Sequence, residues 1–554
     1  MVRVTGRRVV ILVAAVLVVA GGVVGGLVAT SGTSGFPAAD SYAHGPLAAN
    51  AGPFLTDSQG RVVFLRGVNA VYKRAPYELY ADPGTAWNFT AADAQRMAKL
   101  GFNVVRLGLI WEGLEPGTAP PNDPAICSAG TPQNPHQFDA AVAAAYLAKV
   151  AKTVDLLGRY HIYTLLDMHE DVYSSEFGGE GAPPWAVCTD GEPIGTLPGR
   201  WSNTYNDPAL RAAVQHFWAN DVAGDLQGEY DRVWQTVARY FSHDPWIAGY
   251  DPINEPFTRD LTATSAPPGS PLVAGHLECF YTGTAHPGLS FFDGTPLSCP
   301  PDDPSKGLIR TIQDADPHHL VFFEPDIFSS RGKRNDVGPM DLKGLVFNFH
   351  VYCGLRSGVT GDPTDLDGCA AQELHTMRRR SEERPDIASA KQPAGPAWFM
   401  SEFGATTSEP LMERLTANAD QLELGWTYWA WKYYGDPTGS SDEALVTPTG
   451  ALAPTAASIS RVYPEAVAGT PISFAFDPAS ADFHLVYAPK AQVDAPTVVV
   501  VPVAVHYPQG YCAQVTGGTI VSKPNATHLL IANTQNASIV AVTVKPRTCQ
   551  GSGV

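Results

Sequence analysis

Between residues 62 and 462, eight short apolar, β-branched runs are interleaved with segments of helical periodicity. That alternation constrains the fold more than any other feature of the chain. The strand-like runs are Val62–Val71, Asn103–Ile110, His161–Met168, Ile247–Ile253, Leu320–Phe328, Leu345–Tyr352, Ala397–Phe403 and Gly425–Tyr433. Helical patterns fall at Thr90–Leu100 (Thr90 as cap), Phe138–Leu157, Pro208–Asn220, Gln227–Phe241, Lys306–Asp314, Cys369–Glu383, Glu409–Leu424 and Pro454–Val462. Strands and helices in strict alternation predict a closed parallel (β/α)8 TIM barrel. Long inserts at Gly113–Gln137, Asp171–Asn206 and Phe257–Pro304 follow strand ends, where they would shape a substrate cleft.

After Tyr463 the helical periodicity stops. Ile472–Phe476, Asp482–Tyr487, Thr497–Val505, Gly518–Val521, Leu529–Ala532 and Ile539–Val544 are β-rich and separated by Pro, Gly and Asn turns. They predict a C-terminal antiparallel β-sandwich, either a carbohydrate- or lipid-binding module or a packing domain. At the other end, Arg3, Arg7 and Arg8 precede an apolar run from Val9 to Ala29. That pattern is an export signal, and its length also suits a retained signal-anchor. The expected organisation is therefore a signal peptide or signal-anchor over 1–30, a linker over 31–52, the barrel over 53–463 and the sandwich over 464–554. The chain is expected to be secreted, or tethered outside the membrane by an uncleaved N-terminal helix.

A net charge of -18 disfavours nucleic acid as a partner, because phosphate binding needs clustered Lys and Arg. The eight cysteines form no CxxC pair or zinc-spaced Cys/His cluster, so disulfides in an oxidising compartment are the better reading. Proximity suggests Cys127 with Cys188, Cys279 with Cys299, Cys353 with Cys369, and Cys512 with Cys549.

In a barrel enzyme the functional side chains sit at the C-terminal ends of the strands. Two of those ends carry a glutamate in a distinctive setting, Ile253-Asn254-Glu255-Pro256 and Met400-Ser401-Glu402-Phe403-Gly404. Paired carboxylates on different strands are what retaining glycoside hydrolysis requires. Glu255 would be the acid/base and Glu402 the nucleophile, held by Arg106 and Tyr352. Asn254 would hydrogen-bond the sugar 2-hydroxyl, and Lys73, His169, Asp171 and His350 the remaining hydroxyls. Trp429 or Trp431 would floor the sugar ring, both pointing the same way by strand alternation. Each residue has a plainer reading. Arg106 could neutralise a buried acid, His350 and Tyr352 could be satisfied core groups, the tryptophans could be packing, and Lys73 could be solvated.

Arg on strand two, His on three, Asn-Glu on four, His-x-Tyr on six, Glu on seven and Trp on eight resemble glycoside hydrolase family 5. The opening Asp57-Ser-Gln-Gly60-Arg61-Val-Val-Phe-Leu-Arg66-Gly67-Val-Asn69 is similar to that family's first strand. Gly67-Val-Asn-Ala-Val-Tyr-Lys73-Arg-Ala-Pro-Tyr77 and Leu166-Asp-Met-His169-Glu-Asp171-Val-Tyr-Ser174, with the C-terminal β-sandwich, are similar to endoglycoceramidases. The resemblance implies a glycosphingolipid substrate, cut between oligosaccharide and ceramide. It also implies sugar contacts from Lys73, His169, Asp171, Asn254, Tyr352 and the strand-eight Trp. Glu170 stands where some members carry Gln, which leaves glucosyl and galactosyl ceramides both open. Apolar residues after Glu255 (Leu272, Val273, Leu277, Phe280, Tyr281, Leu289, Phe291 and Phe292) would line a ceramide site or pack the insert on the barrel. No cofactor or metal is expected, and the protein is expected to act as a monomer with peripheral contact to lipid surfaces or micelles. The alternatives are a β-glucanase or mannanase acting on polysaccharide, and a non-catalytic glycan- or lipid-binding surface protein.

Overall fold

All eight barrel strands are buried along their whole length, the condition under which a parallel strand reads as a continuous apolar run. They are Arg66–Ala70, Val104–Leu109, Tyr163–Met168, Ile247–Asp251, Leu320–Phe323, Leu345–Val351, Ala397–Phe403 and Gly425–Tyr428. Each pairs in parallel with its neighbours, and the eighth closes on the first through Trp426 opposite Arg66. The computed structural model describes residues 42–546 apart from 44, 50–51, 118–120, 128–135, 196–200, 221, 223–224, 259–276, 284–306, 336 and 355–362.

The sequence pattern anticipates these strands, with some ends shifted for identifiable reasons. Strand four stops at Asp251 and strand five at Phe323, because Pro252 and Pro325 lie just beyond them without an N–H for a ladder. The helices start at polar caps. Asp93 accepts from the Thr90 N–H at 2.8 Å, Asp207 caps Pro208–Ala219, and Ser408 caps Glu409–Gln421.

The C-terminal region folds as two antiparallel sheets, but its boundary with the barrel is interleaved. Leu55–Thr56 and Val62–Val63 pair into the sheet that also holds Tyr463–Val467, Thr497–Val500, His528–Asn533 and Gly518–Ile520. The second sheet contains Gly469–Asp477, Asp482–Pro489, Val540–Lys545 and Cys512–Thr516. The predicted strand Thr497–Val505 ends at Val500; Pro502 then caps a short helix, Val503–His506. A buried ionic cluster joins barrel and sheets. Asp420 meets Arg66 at 2.6 Å and Arg461 at 2.5 Å, and Arg461 also donates to the Phe476 carbonyl at 2.7 Å.

Part of the stretch read as linker is fixed. Tyr42, Ala43, Leu47 and Ala49 are buried in the cluster containing Val104, Tyr163, Leu320, Val346 and Ala397, at the start of five barrel strands. Tyr42 stacks on His161 with ring centroids 3.9 Å apart, and Gln392 donates to the Ala49 carbonyl at 2.9 Å. The chain thus enters at the end of the barrel opposite the strand C-termini. Residues 1–41, including the apolar run, lie outside the described residues. Among the described residues no helix is long and apolar enough to cross a membrane.

Cys127 pairs with Cys188 and Cys353 with Cys369, as proximity suggested. Cys279 and Cys512 are also disulfide-bonded, while Cys299 and Cys549 lie outside the described residues.

Candidate active site

The strand C-termini converge on Arg106. From the buried second strand its guanidinium reaches Asp251 at 2.9 Å, Asp167 at 2.9 Å, Glu324 at 2.9 Å and Glu402 at 2.7 Å. It also donates to the side-chain oxygens of Asn69 at 3.2 Å and Asn254 at 2.9 Å. One cation cannot neutralise four carboxylates in a dry interior, so protons make up part of the difference. Burial pushes Asp167 up to about 7 against the pull of Arg106, and burial with Glu324 raises Asp251 well above its usual range.

His350 supplies the second positive charge. Its Nδ1 lies 2.8 Å from Glu255 and 3.4 Å from Glu402, and its Nε2 lies 3.0 Å from Glu324. Burial opposes its protonation, but Glu324 and Glu402 raise it well above the ordinary imidazole value. Burial alone would raise Glu324, yet His350 and Arg106 hold it down to about 2.

Glu255 and Glu402 face one another across this cluster, with one oxygen of each within 4.8 Å. Tyr352 donates to Glu402 Oε2 at 2.8 Å, and Arg106 binds Oε1. Burial pushes Glu402 up to about 7, His350 and Arg106 pull it down, and Glu255 and Glu324 push it up. Glu255 adopts a left-handed backbone with φ of 39°, uncommon for a side chain other than Gly, Asn or Asp. Its N–H donates to Glu324 Oε2 at 3.1 Å. Beyond Glu402, Gly404 has φ of 98°, and a Cβ there would stand 2.3 Å from the Tyr428 ring.

A cavity of about 410 Å³ opens over the two glutamates. Lys73, His169, Asp171, Asn254, Tyr352 and Trp429 line it, together with Thr438 and Glu443. Lys73 binds Asp171 at 2.5 Å, Thr438 at 2.9 Å and Asp436 at 3.1 Å, with Nζ 4.5 Å from the Trp429 ring centroid. Burial would lower its pKa, but Asp171, Asp436 and Glu180 raise it well above the usual lysine value. The plain reading of Lys73 as solvated fails: its side chain is 3 % exposed. Its ammonium bridges these acids, two of which, Asp171 and Glu180, would otherwise offer the donor set of a cation site with His169. Burial and Lys73 hold His169 well below its ordinary value, so its neutral ring faces Asp167 at 2.7 Å and stacks on Trp429. Asn254 spends its oxygen on Arg106 and one N–H on the Glu170 carbonyl, 3.0 Å away.

Two expectations change. His350 is not on the cavity wall; it bridges the glutamates from behind. Trp431 is fully buried and donates to Asp93 at 3.1 Å, so of these two tryptophans Trp429 alone faces the cavity. The strand ends at Tyr428, and two-residue alternation does not extend past it. Glu324, Asp436, Thr438 and Glu443 were not singled out in the sequence. Glu324 had a signal, an acid closing the apolar run Leu320–Phe323, whereas the loop after strand eight has no periodicity to reveal the others.

Of the apolar candidates after Glu255, Leu277, Phe280 and Tyr281 are buried. Phe280 packs on Phe217, Trp218 and Tyr230, and Tyr281 donates to the Glu324 carbonyl at 2.9 Å. These three pack the insert onto the barrel; Leu272, Val273, Leu289, Phe291 and Phe292 lie outside the described residues. Among the described residues the apolar cavity wall comes from Trp201, Tyr205, Phe257, Ile327 and Phe328.

The chain is 28% identical over 487 residues to endoglycoceramidase I of Rhodococcus hoagii (strain 103S), an alignment covering 86% of this chain and 83% of that protein. It is 26% identical over 484 residues to the endoglycoceramidase of Hydra vulgaris, covering 82% and 80% respectively. The fold is similar to that of endo-glycoceramidase II from Rhodococcus sp., solved as a ganglioside GM3 complex. The TM-score is 0.65 at 23% identity, covering 90% of this chain and all of that one. The family model Cellulase (glycosyl hydrolase family 5) matches residues 57–435, and that of the glycoside hydrolase family 5 C-terminal domain matches residues 461–545. The barrel and the sheets that follow it are therefore those of a glycoside hydrolase, and the chain belongs to glycoside hydrolase family 5.

Proposed function

We propose that this protein is a retaining endo-β-glycosidase that cleaves glycosphingolipids between the oligosaccharide and the ceramide. The observation that carries the reading is the division of one cavity around the paired glutamates. Lys73, Asp171, His169, Thr438 and Trp429 form a connected polar group suited to sugar hydroxyls. Phe257, Ile327 and Phe328 flank Glu255, with Ile327 N–H bonded to the Pro256 carbonyl at 3.1 Å. A leaving group departs on the acid's side, so an apolar wall there suits an aliphatic aglycone. The endoglycoceramidase relatives support the same substrate class.

Carboxyl oxygens within 4.8 Å favour double displacement, since inverting enzymes hold their carboxyls about 6.5–9.5 Å apart. Glu402 attacks the anomeric carbon while Glu255 protonates the departing ceramide oxygen. Glu255 then takes a proton from water, which attacks the same carbon and frees Glu402. Arg106 and Tyr352 hold the Glu402 carboxylate. The remaining Asn254 N–H is available to the 2-hydroxyl. The protein is a secreted or N-terminally tethered monomer in this reading, with no cofactor step.

The test is incubation with a panel of glycosphingolipids and, separately, soluble β-glucan and mannan, with products read by mass spectrometry. Intact oligosaccharide plus ceramide supports the proposal, and the panel names the first sugar. Cleavage of polysaccharide alone replaces the substrate class. No cleavage of either favours a binding protein.

A further inference from the structure

The chain carries -18 overall, yet the segment after strand five reads Arg331-Gly-Lys333-Arg334, with Arg331 on the cavity wall. Lys333 lies with its ammonium 4.4 Å from the ring centroid of Phe328, which lines the apolar side of the same cavity. The helix Leu366–Glu383 packs behind and adds Arg378, Arg379 and Arg380. Arg379 donates to the Gly332 carbonyl at 2.6 Å, and Arg380 donates to the Lys333 carbonyl. These bonds pin the segment in place. Arg331, Lys333, Arg334 and Arg378 are exposed. Arg334 is paired with Asp386 at 3.3 Å, but both side chains are open to water, 75% and 61% exposed.

We propose that this basic rim is the surface by which the protein docks its cavity mouth onto an anionic lipid membrane. An acidic protein is repelled by such a surface as a whole, so attraction must come from charges within about 10 Å of it. The rim meets that requirement where it is useful, beside the wall that would receive an aliphatic chain drawn from the bilayer. The purpose of the docking rests on the glycolipid reading above; its test does not.

The test uses the full chain and K333Q/R334Q/R378Q, which leaves cavity-lining Arg331 in place. Partition is measured on phosphatidylcholine vesicles with and without phosphatidylserine, none containing glycolipid. The wild-type chain prefers the anionic vesicles at low salt and loses that preference at high salt. Each basic residue near a membrane is worth about fivefold, so the variant loses the preference by about tenfold or more. Its unfolding temperature and its rate on a soluble aryl β-glycoside stay unchanged. An anionic preference that survives the substitutions, or its absence from the wild-type chain, overturns the proposal. Because the vesicles hold no substrate, failure of the glycolipid reading leaves this outcome readable.

Discussion

Glu255 gives its backbone N–H to Glu324, and the other Glu324 oxygen sits against Arg106 and His350. The strained left-handed turn that presents Glu255 is thus fixed by an acid from the neighbouring strand.

The acid/base assignment predicts that Glu255→Gln slows natural glycolipid hydrolysis by about 10²–10⁴-fold and costs less with an activated aryl leaving group. Glu402→Gln should leave no turnover while retaining binding, measurable by calorimetry with a glycolipid headgroup. Full activity of Glu255→Gln on a natural substrate would refute the assignment.

In the proposed mechanism Glu402 attacks as a carboxylate, so kcat/KM should fall as pH drops below about 7. Glu255 pushes that value up, and removing its charge favours the carboxylate; Glu255→Gln should move the acidic limb to lower pH. His350 pulls it down, so His350→Asn should move the limb to higher pH. Shifts of the same sign in both variants would contradict the charge arrangement, and pH profiles on an aryl glycoside decide it.

Trp429 and Trp431 should separate cleanly. Trp429→Ala removes a cavity wall and should lower kcat/KM, and because the ring is buried and donates to Glu443 it should also cost about 3–5 kcal/mol of unfolding free energy. Trp431→Phe removes one donor to Asp93, which keeps Thr90 and Lys432, and should destabilise by about 0.5–1.5 kcal/mol with KM unchanged.

Asp420→Asn leaves Arg66 and Arg461 buried with one charge fewer, and should cost about 3–5 kcal/mol. Because the cluster spans both regions, barrel and C-terminal sheets should lose stability together in denaturant. Two separated transitions would show that the cluster does not couple them.

Asp231 offers a stability test away from the cavity. Burial raises it from 3.8 to about 7, so its stabilising contribution is complete below pH 3.8 and lost as pH rises through about 7. Asp231→Asn should abolish that dependence and gain up to about 4 kcal/mol over the native protein at pH 8, relative to pH 4. Parallel stability–pH curves for the two proteins would exclude the effect.

The barrel was legible because each buried parallel strand must be apolar on both faces, and that leaves a mark in any sequence. Glu255 and Glu402 stood out as acids closing such runs, a signal that Glu324 shares. What stayed hidden depends on long-range contact. Nothing near Leu55 or Val62 says that these residues join Tyr463–Val467 in one sheet. Nothing local tells Trp429 from Trp431 once the strand has ended. Lys73 looked like a loop lysine because its partners, Asp171 and Asp436, are about 100 and 360 residues away in the chain.

The seat of Tyr42–Ala49 against the starts of the barrel strands closes the end of the barrel away from the paired glutamates. Loss of that segment would uncover apolar side chains at five strand starts while leaving the cavity wall untouched, so its first effect would be on solubility and not on turnover.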